Sequence, residues 1–276
     1  IRLYSEDDFA RRPAFTDPEI LRSNLAAVIL RAISLKLGDV REFPFVQTPP
    51  PRAIADGFAI LQELNAVTEE GGLTRVGREL ARLPVDPRLG RMLLAGSEQG
   101  SLEELLTICA GLSIQDPRER PADAQQAADE AHRKLADEKS DFLSYVKLWN
   151  WYEKANAEKE SNRKLEAELH RRYLSVRRLR EWRDVRRQLV QLTDELGWRR
   201  NTSPATFEQV HRALLTGLLG NIGSKAVESD FRAPPYLGAR GIKFWIWPGS
   251  ARAKKAGRWI LAAEIVETSR MFARCV

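Results

Sequence analysis

Between Ile242 and Trp247 the chain reads Ile-Lys-Phe-Trp-Ile-Trp. The alternation of a strand sends Lys243, Trp245 and Trp247 to one face and Ile242, Phe244 and Ile246 to the other. Two indoles beside a cation make a stacking platform, because bases stack on aromatic rings for about 1 to 3 kcal/mol each while cations meet the phosphates. The competing reading packs either indole under the basic loop that follows, or against another domain. Ser250, Thr268, Ser269 and Arg270 carry donors suited to phosphate and 2′-hydroxyl oxygens. A second candidate set is arginine-rich. Arg180, Arg183 and Arg187 recur about one helical turn apart, where guanidinium planes can contact phosphates or stack on bases. Its alternative is an exposed helix whose arginines pair with Glu166, Glu168, Glu181 and Asp184.

Charge distribution favours a polyanion. The formal charge is +6 over 276 residues, with a pI near 9.4. Eight arginines stand between Arg171 and Arg187 against Glu181 and Asp184, and six cations with no acid between Arg240 and Arg258. The remainder is therefore negative, and the positive charge is clustered. Other chemistry is poorly supplied. His132, His170 and His211 lie far apart without zinc-binding context, and neither a nucleophile elbow nor a phosphate-cradling G-x-x-x-x-G-K-[ST] loop occurs. No catalytic residue, metal site or cofactor site is expected in this chain. Cys109 and Cys275 read as ordinary buried thiols. With no run of eighteen apolar residues and no charged-then-apolar leader, the expectation is a cytoplasmic protein away from membranes.

The elements that must hold these groups are mostly helical. Residues Ile1 to Ser5 alternate like a strand. Asp17, Pro18 and Glu19 signal a helix start and Gly38 its stop, with Ile20, Leu25, Val28, Ile29, Ala32 and Leu35 on the apolar side. After the Pro49–Pro51 run, helices are expected over Arg52 to Leu64 and Leu73 to Leu83, separated at Gly71 and Gly72. Three helices with a small turn suit a winged helix, whose second helix is too poor in cations to favour DNA reading. From Asp86 and Pro87 the chain reads as helical, with a capping-box pattern at Ser101 and Glu104 and another helix start at Ser203 and Pro204. Residues Pro117 to Lys139 suggest a surface loop and an exposed helix broken at Pro121. A single long helix is predicted from about Asn162 to Leu196, burying Leu179, Trp182, Val185, Leu189, Leu192 and Leu196, with Arg177, Arg180, Arg187 and Gln191 opposite. Beyond Gly217 a period of two predicts strands over Leu218 to Val227, Gly241 to Trp247 and Arg258 to Val266, as in a small antiparallel barrel of the OB type.

The segments IRLYSEDDFARRPAFTDPEILRSNLAAVIL, LTRVGRELARLPVDPRLGRML, SDFLSYVKLWNWY, REWRDVRRQL, ALLTGLLGNIG, WPGS and AAEIVETSRMFAR, taken in order, resemble the accessory region of bacterial HrpA-type DEAH-box RNA helicases. That resemblance implies an α+β, mostly helical chain in four parts. They are the tail of the second RecA-like motor domain (1–16), a winged helix (17–86), a helical ratchet-like HA2 domain (87–212) and an OB-fold β-barrel cut short (213–276). It further implies a monomeric piece that holds single-stranded RNA against its own RecA-like motor domains during 3′ to 5′ movement. ATP and Mg²⁺ would belong to motors that lie elsewhere in the parent enzyme. The ratchet-helix motif falls on Arg183, Asp184, Val185, Gln188 and Leu189, with Val185 and Leu189 suited to the core. The OB-fold motif falls on Ser250, Thr268, Ser269 and Arg270, with an aromatic position at Trp247. The implied RNA-binding set is Arg180, Arg183, Arg187, Gln188, Lys243, Trp247, Ser250, Thr268, Ser269 and Arg270. Two other functions remain open: a winged-helix DNA-binding regulator and a protein-interaction scaffold.

Overall fold

Ser5, itself extended, accepts a hydrogen bond from the Asp8 amide and three acids follow it, so a short helix, α1 (Glu6–Arg11), begins directly after it. Ile1 and Leu3 lie outside the described residues, which in this computed structural model are 4–12, 20, 24–226, 234–253, 255–268 and 270–276. The expected start signals at Asp17, Pro18 and Glu19 also lie outside them.

The first of two units, Ile1–Pro87, is built on α2 (Ala26–Ser34), α3 (Pro51–Glu63) and α4 (Arg75–Ala81). Leu25, Ile29 and Leu30 are buried in its core with Ile54, Leu61, Leu64, Val76 and Leu80. At Gly57 a Cβ would come within 2.6 Å of Ile29 and 3.3 Å of the Ala26 backbone, so glycine is what lets α2 and α3 approach. The end of α2 differs from expectation. Lys36, not Gly38, takes the left-handed closing position (φ 56°): its amide donates to Ile33, and that of Leu37 to Ala32. Leu35 is consequently past the helix end and 54% exposed instead of on the apolar side. Thr74 caps α4, and Val67 pairs with Leu73 across the turn at Gly71 and Gly72.

The second unit, Arg88–Val276, takes in most of α5 (Pro87–Gln99) and all of α6 (Leu102–Leu112), α7 (Gln125–Arg133), α8 (Asp141–Ala157), α9 (Asn162–Arg171), α10 (Val176–Glu195) and α11 (Phe207–Leu215). Helix α6 packs against α8, α10 and α11. Trp182 of α10 is fully buried there, its indole N–H donating to the Thr107 carbonyl at 3.0 Å with Trp149 and Tyr145 beside it. The single long helix expected over Asn162 to Leu196 is in fact two. Tyr173 adopts φ 54°, and Leu174 donates back to Leu169, closing α9 with both leucines buried. Outside the helices, Glu119 donates to Tyr173 and Ser175 donates to Pro117, so the 117–119 segment takes up backbone groups that a continuous helix would have used. The capping box expected at Ser101 and Glu104 is absent. Glu104 instead accepts from Asn201 and the Ala205 amide, and the box forms at Thr206 and Gln209, where α11 starts beyond Ser203 and Pro204.

Among the described residues six strands follow: β1 (Ile222–Lys225), β2 (Tyr236–Leu237), β3 (Lys243–Ile246), β4 (Trp259–Leu261), β5 (Glu264–Glu267) and β6 (Met271–Arg274). Their order is β4-β1-β2-β3-β6-β5, antiparallel except for the parallel pair β3 and β6. Among the described residues the sheet is therefore mixed, with β4 and β5 at the ends of its order, where a wholly antiparallel barrel, cut short, was expected. It curls over a core of Tyr236, Phe244, Ile260, Ala262, Ala273 and Val276. The single strand expected over Arg258 to Val266 is divided, because the Ala262 amide turns to Asn221 and that of Ala263 to Arg274 and Cys275. Ile242, expected in the core-facing row, precedes β3 and is 41% exposed.

Candidate nucleic-acid interface

Phe244 fixes which way β3 faces. Its ring is fully buried against Gly223 and Gly238, where added Cβ atoms would fall 2.4 and 2.7 Å from it. Alternation then sends Lys243, Trp245 and Trp247 outward. The parallel neighbour β6 and the turn before it supply cations to both indoles. The Arg270 guanidinium lies 5.2 Å from the centre of Trp245 and that of Arg274 4.9 Å from Trp247, while Phe272 meets Trp247 edge-on at 5.4 Å. Both indoles are half-buried, so each offers part of a π face next to a fixed positive charge. Lys243 is exposed. The Thr268 amide and hydroxyl both donate to the Arg270 carbonyl, at 2.9 and 3.2 Å, and this tightens the turn that carries Arg270. Ser269 lies outside the described residues.

Ser250 is used differently. Its hydroxyl donates to Asp141 of α8 at 2.5 Å and accepts from the Arg252 amide. Asp141 also accepts from the amides of Ala251 and Val276, each at 3.0 Å, and its own amide donates to the Val276 carbonyl at 2.7 Å. One carboxylate, 5% exposed, thus ties both the loop after β3 and the residue after β6 to the first turn of a helix, where negative charge is favoured. The proton of Ser250 is committed to this tie.

The arginine helix presents an open groove of about 660 Å³ lined by Val176, Arg177, Arg180, Glu181, Asp184, Val185 and Gln188. Local acids hold several of its cations. The less exposed Arg186 pairs with Glu103, and on the outer side Arg180 pairs with Glu166 of α9 at 2.6 Å and Arg187 with Asp184 at 3.2 Å. Exposed pairs of this kind contribute at most about 1 kcal/mol and yield readily to a competing anion. Arg183 and Gln188 are exposed and, among the described residues, form no side-chain hydrogen bond or ion pair. Leu189 is buried as expected, whereas Val185 is half-buried and lines the groove. No hydrogen bond, ion pair or ring contact joins this groove to the sheet face among the described residues.

Arg274 and Phe272 were not singled out from sequence, although the alternation of Met-Phe-Ala-Arg places them on one face. Asp141 carried no signal beyond its position after the cap Ser140. Cys109 is buried, which pushes its thiol well above the usual range, and Cys275 is half-buried; both are free. Among the described residues no cluster of His, Cys, Asp and Glu is arranged for a metal, and no helix is long and apolar enough to cross a membrane.

Residues 86–145 match the helicase associated domain (HA2), ratchet-like. Helix α10 and the sheet lie outside that match. The chain is 49% identical over 284 residues to the ATP-dependent RNA helicase HrpA of Escherichia coli (strain K12), covering 99% of this chain and 21% of that protein. It is 47% identical over 283 residues to the HrpA homolog of Haemophilus influenzae, covering 100% and 21% respectively. The pre-mRNA-splicing factor ATP-dependent RNA helicase prp22 of Schizosaccharomyces pombe is 29% identical over 282 residues, covering 100% and 23%. The mostly helical unit with its HA2 match defines a helicase-associated accessory region. The chain is an HrpA-type segment, spanning about a fifth of the length of the ATP-dependent RNA helicases it matches.

Proposed function

We propose that this segment grips single-stranded RNA beside the motor domains of an ATP-driven 3′ to 5′ RNA helicase, and that it has no ATPase activity of its own. The observation that carries the reading is the pairing of Trp245 with Arg270 and Trp247 with Arg274 on the outer face of the sheet. Rings that stack bases and cations that meet phosphates are what a sequence-tolerant single-strand site requires. Helix α10 adds a second basic surface through Arg180, Arg183, Arg187 and Gln188. In this reading the first unit is a winged helix packed on the motors, the sheet is an OB-fold, ATP and Mg²⁺ act in the RecA-like domains, and the parent enzyme works as a cytoplasmic monomer.

The test is binding of a labelled single-stranded RNA across a salt series, with Arg180→Glu and Arg270→Glu beside the unaltered chain. The expected logarithmic slope is about −0.7 per neutralised phosphate, reduced in both variants. Affinity should fall equally for oligouridine and oligoadenosine, since phosphate contacts position the strand without specifying it. Absence of binding at low salt, or ATP turnover by the chain alone, would overturn the reading.

A further inference from the structure

The two basic segments differ in a way that their sequences conceal. Several cations on α10 face carboxylates, as in the pairs Arg180 with Glu166 and Arg187 with Asp184. On the sheet Arg274 pairs with Glu264, but Lys225 and Lys243 of the strands, and Lys255 and Arg258 of the loop before β4, are exposed and form no ion pair among the described residues. Amid these cations stands Trp259, 65% exposed although it lies in a strand. Its neighbour Ile260 is 7% exposed and points into the core with Tyr236 and Phe244, so Trp259 faces outward. The register places Trp259 beside Ser224, Ser224 beside Leu237, and Leu237 beside Lys243, one row across four strands. At the usual strand spacing that row runs about 14 Å, from an indole on β4 to a lysine next to the Trp245–Arg270 pair.

We infer that this outer row is a track for single-stranded nucleic acid, with Trp259 stacking on a base at its β4 end and Lys243 meeting a phosphate. The inference rests on the RNA-holding function proposed above and extends it to a strand and a residue outside the expected site. A protein partner is the competing occupant, given the exposure of Leu237 and Ile242. The core of a protein interface is depleted of charge, however, whereas this row ends in Lys243, exposed and with no ion pair among the described residues, beside the exposed guanidinium of Arg270 over Trp245. Such unneutralised charge complements a phosphate backbone.

Fluorescein-labelled oligouridine, titrated into the chain across a salt series, tests the track. Trp259→Ala should raise Kd about five- to 150-fold with an unchanged salt slope, because it removes stacking and no phosphate contact. Trp259→Phe should retain affinity to within about threefold, since a ring remains. Lys243→Gln should lower the slope by about 0.7, and keeps the test available if Trp259→Ala disturbs the sheet by circular dichroism. If the unaltered chain binds and Arg270→Glu weakens it while Trp259→Ala and Lys243→Gln change nothing, the track is wrong and the broader RNA-holding function survives. Failure of the unaltered chain to bind at low salt would overturn both. Duplex RNA bound as tightly as a single strand would also overturn the track, because stacking on Trp259 needs an unpaired base.

Discussion

Arg180 brings charge to the groove on α10 and Arg187 is exposed on the same helix, yet each is held by a carboxylate, Glu166 and Asp184 respectively. A phosphate must displace that carboxylate before it can be bound. Removing the acid's charge therefore frees the arginine and lessens repulsion of the strand. Glu166→Gln and Asp184→Asn should each strengthen RNA binding at low salt by about two- to fivefold, in line with exposed pairs worth up to about 1 kcal/mol. A titration in 50 mM salt checks this, and a loss of affinity in Asp184→Asn would instead make Asp184 an RNA contact. The pairing itself was legible in sequence as one of two open readings, because acids recur near the arginines at helical spacing. What one strand could not reveal was the identity of its inner face. Trp259 and Ile260 are both apolar, and only the packing of Ile260 on Phe244 and Tyr236 decides that the indole faces out. Ser250 shows the converse: a hydroxyl suited to phosphate is occupied by Asp141, a residue more than a hundred positions away.

Helices in this chain end in a way that a search for glycine only partly detects. Among the described residues, four close with a left-handed residue followed by the same pair of backward hydrogen bonds, but that residue is Lys36, Asn65, Tyr173 and Gly197 in turn. The periodicity of the arginine helix was correct on both sides of Tyr173. Its break was illegible because the cause is tertiary, the bonding of the 117–119 segment. Strand boundaries failed for a related reason, since the division at Ala262 depends on carbonyls from Asn221 and β6. The attachment of the sheet to the helices likewise appears only in three dimensions, at Asp141. Asp141→Asn keeps the size of the side chain but places an amide N–H against donors, leaving at least one buried donor unpaired. It should destabilise the second unit by about 2 to 4 kcal/mol, whereas Ser250→Ala should cost about 1 kcal/mol. Urea unfolding of both variants provides the measurement, and a cost below about 0.5 kcal/mol for Asp141→Asn would mean that the tie does not hold the sheet.

Across the second unit as a whole, the helical scaffold depends on two neutral histidines. His132 reaches the Tyr173 carbonyl at 3.1 Å, which requires its Nε2 to donate and joins α7 to the break between α9 and α10. His211 donates from Nδ1 to the Phe207 carbonyl, so its Nε2 accepts from the hydroxyl of Ser140, the cap of α8. A proton added to His211 would abolish that acceptor and set a positive charge beside the positive end of α8. Burial lowers the pKa of both rings below the usual 6.5, more than their carbonyl partners raise it. The folded state therefore binds these protons less readily than the unfolded state. Their contribution is fully present above pH 6.5 and is lost as the pH falls from 6.5 toward the lowered folded values. Carboxylates act further down. Burial raises the pKa of Asp116, but the adjoining Arg118 outweighs it and leaves the group below its usual 3.8, so the ion pair persists while the histidines titrate. Thermal unfolding at pH 7.5, 6.5 and 5.5 should show stability declining across this interval. The decline should flatten in a His132→Gln, His211→Gln double variant, which starts from a lower stability at pH 7.5 but carries neither titrating ring. An unaltered chain equally stable at pH 7.5 and 5.5 would show that these rings do not govern the acid response, and that loss of stability waits for the carboxylates.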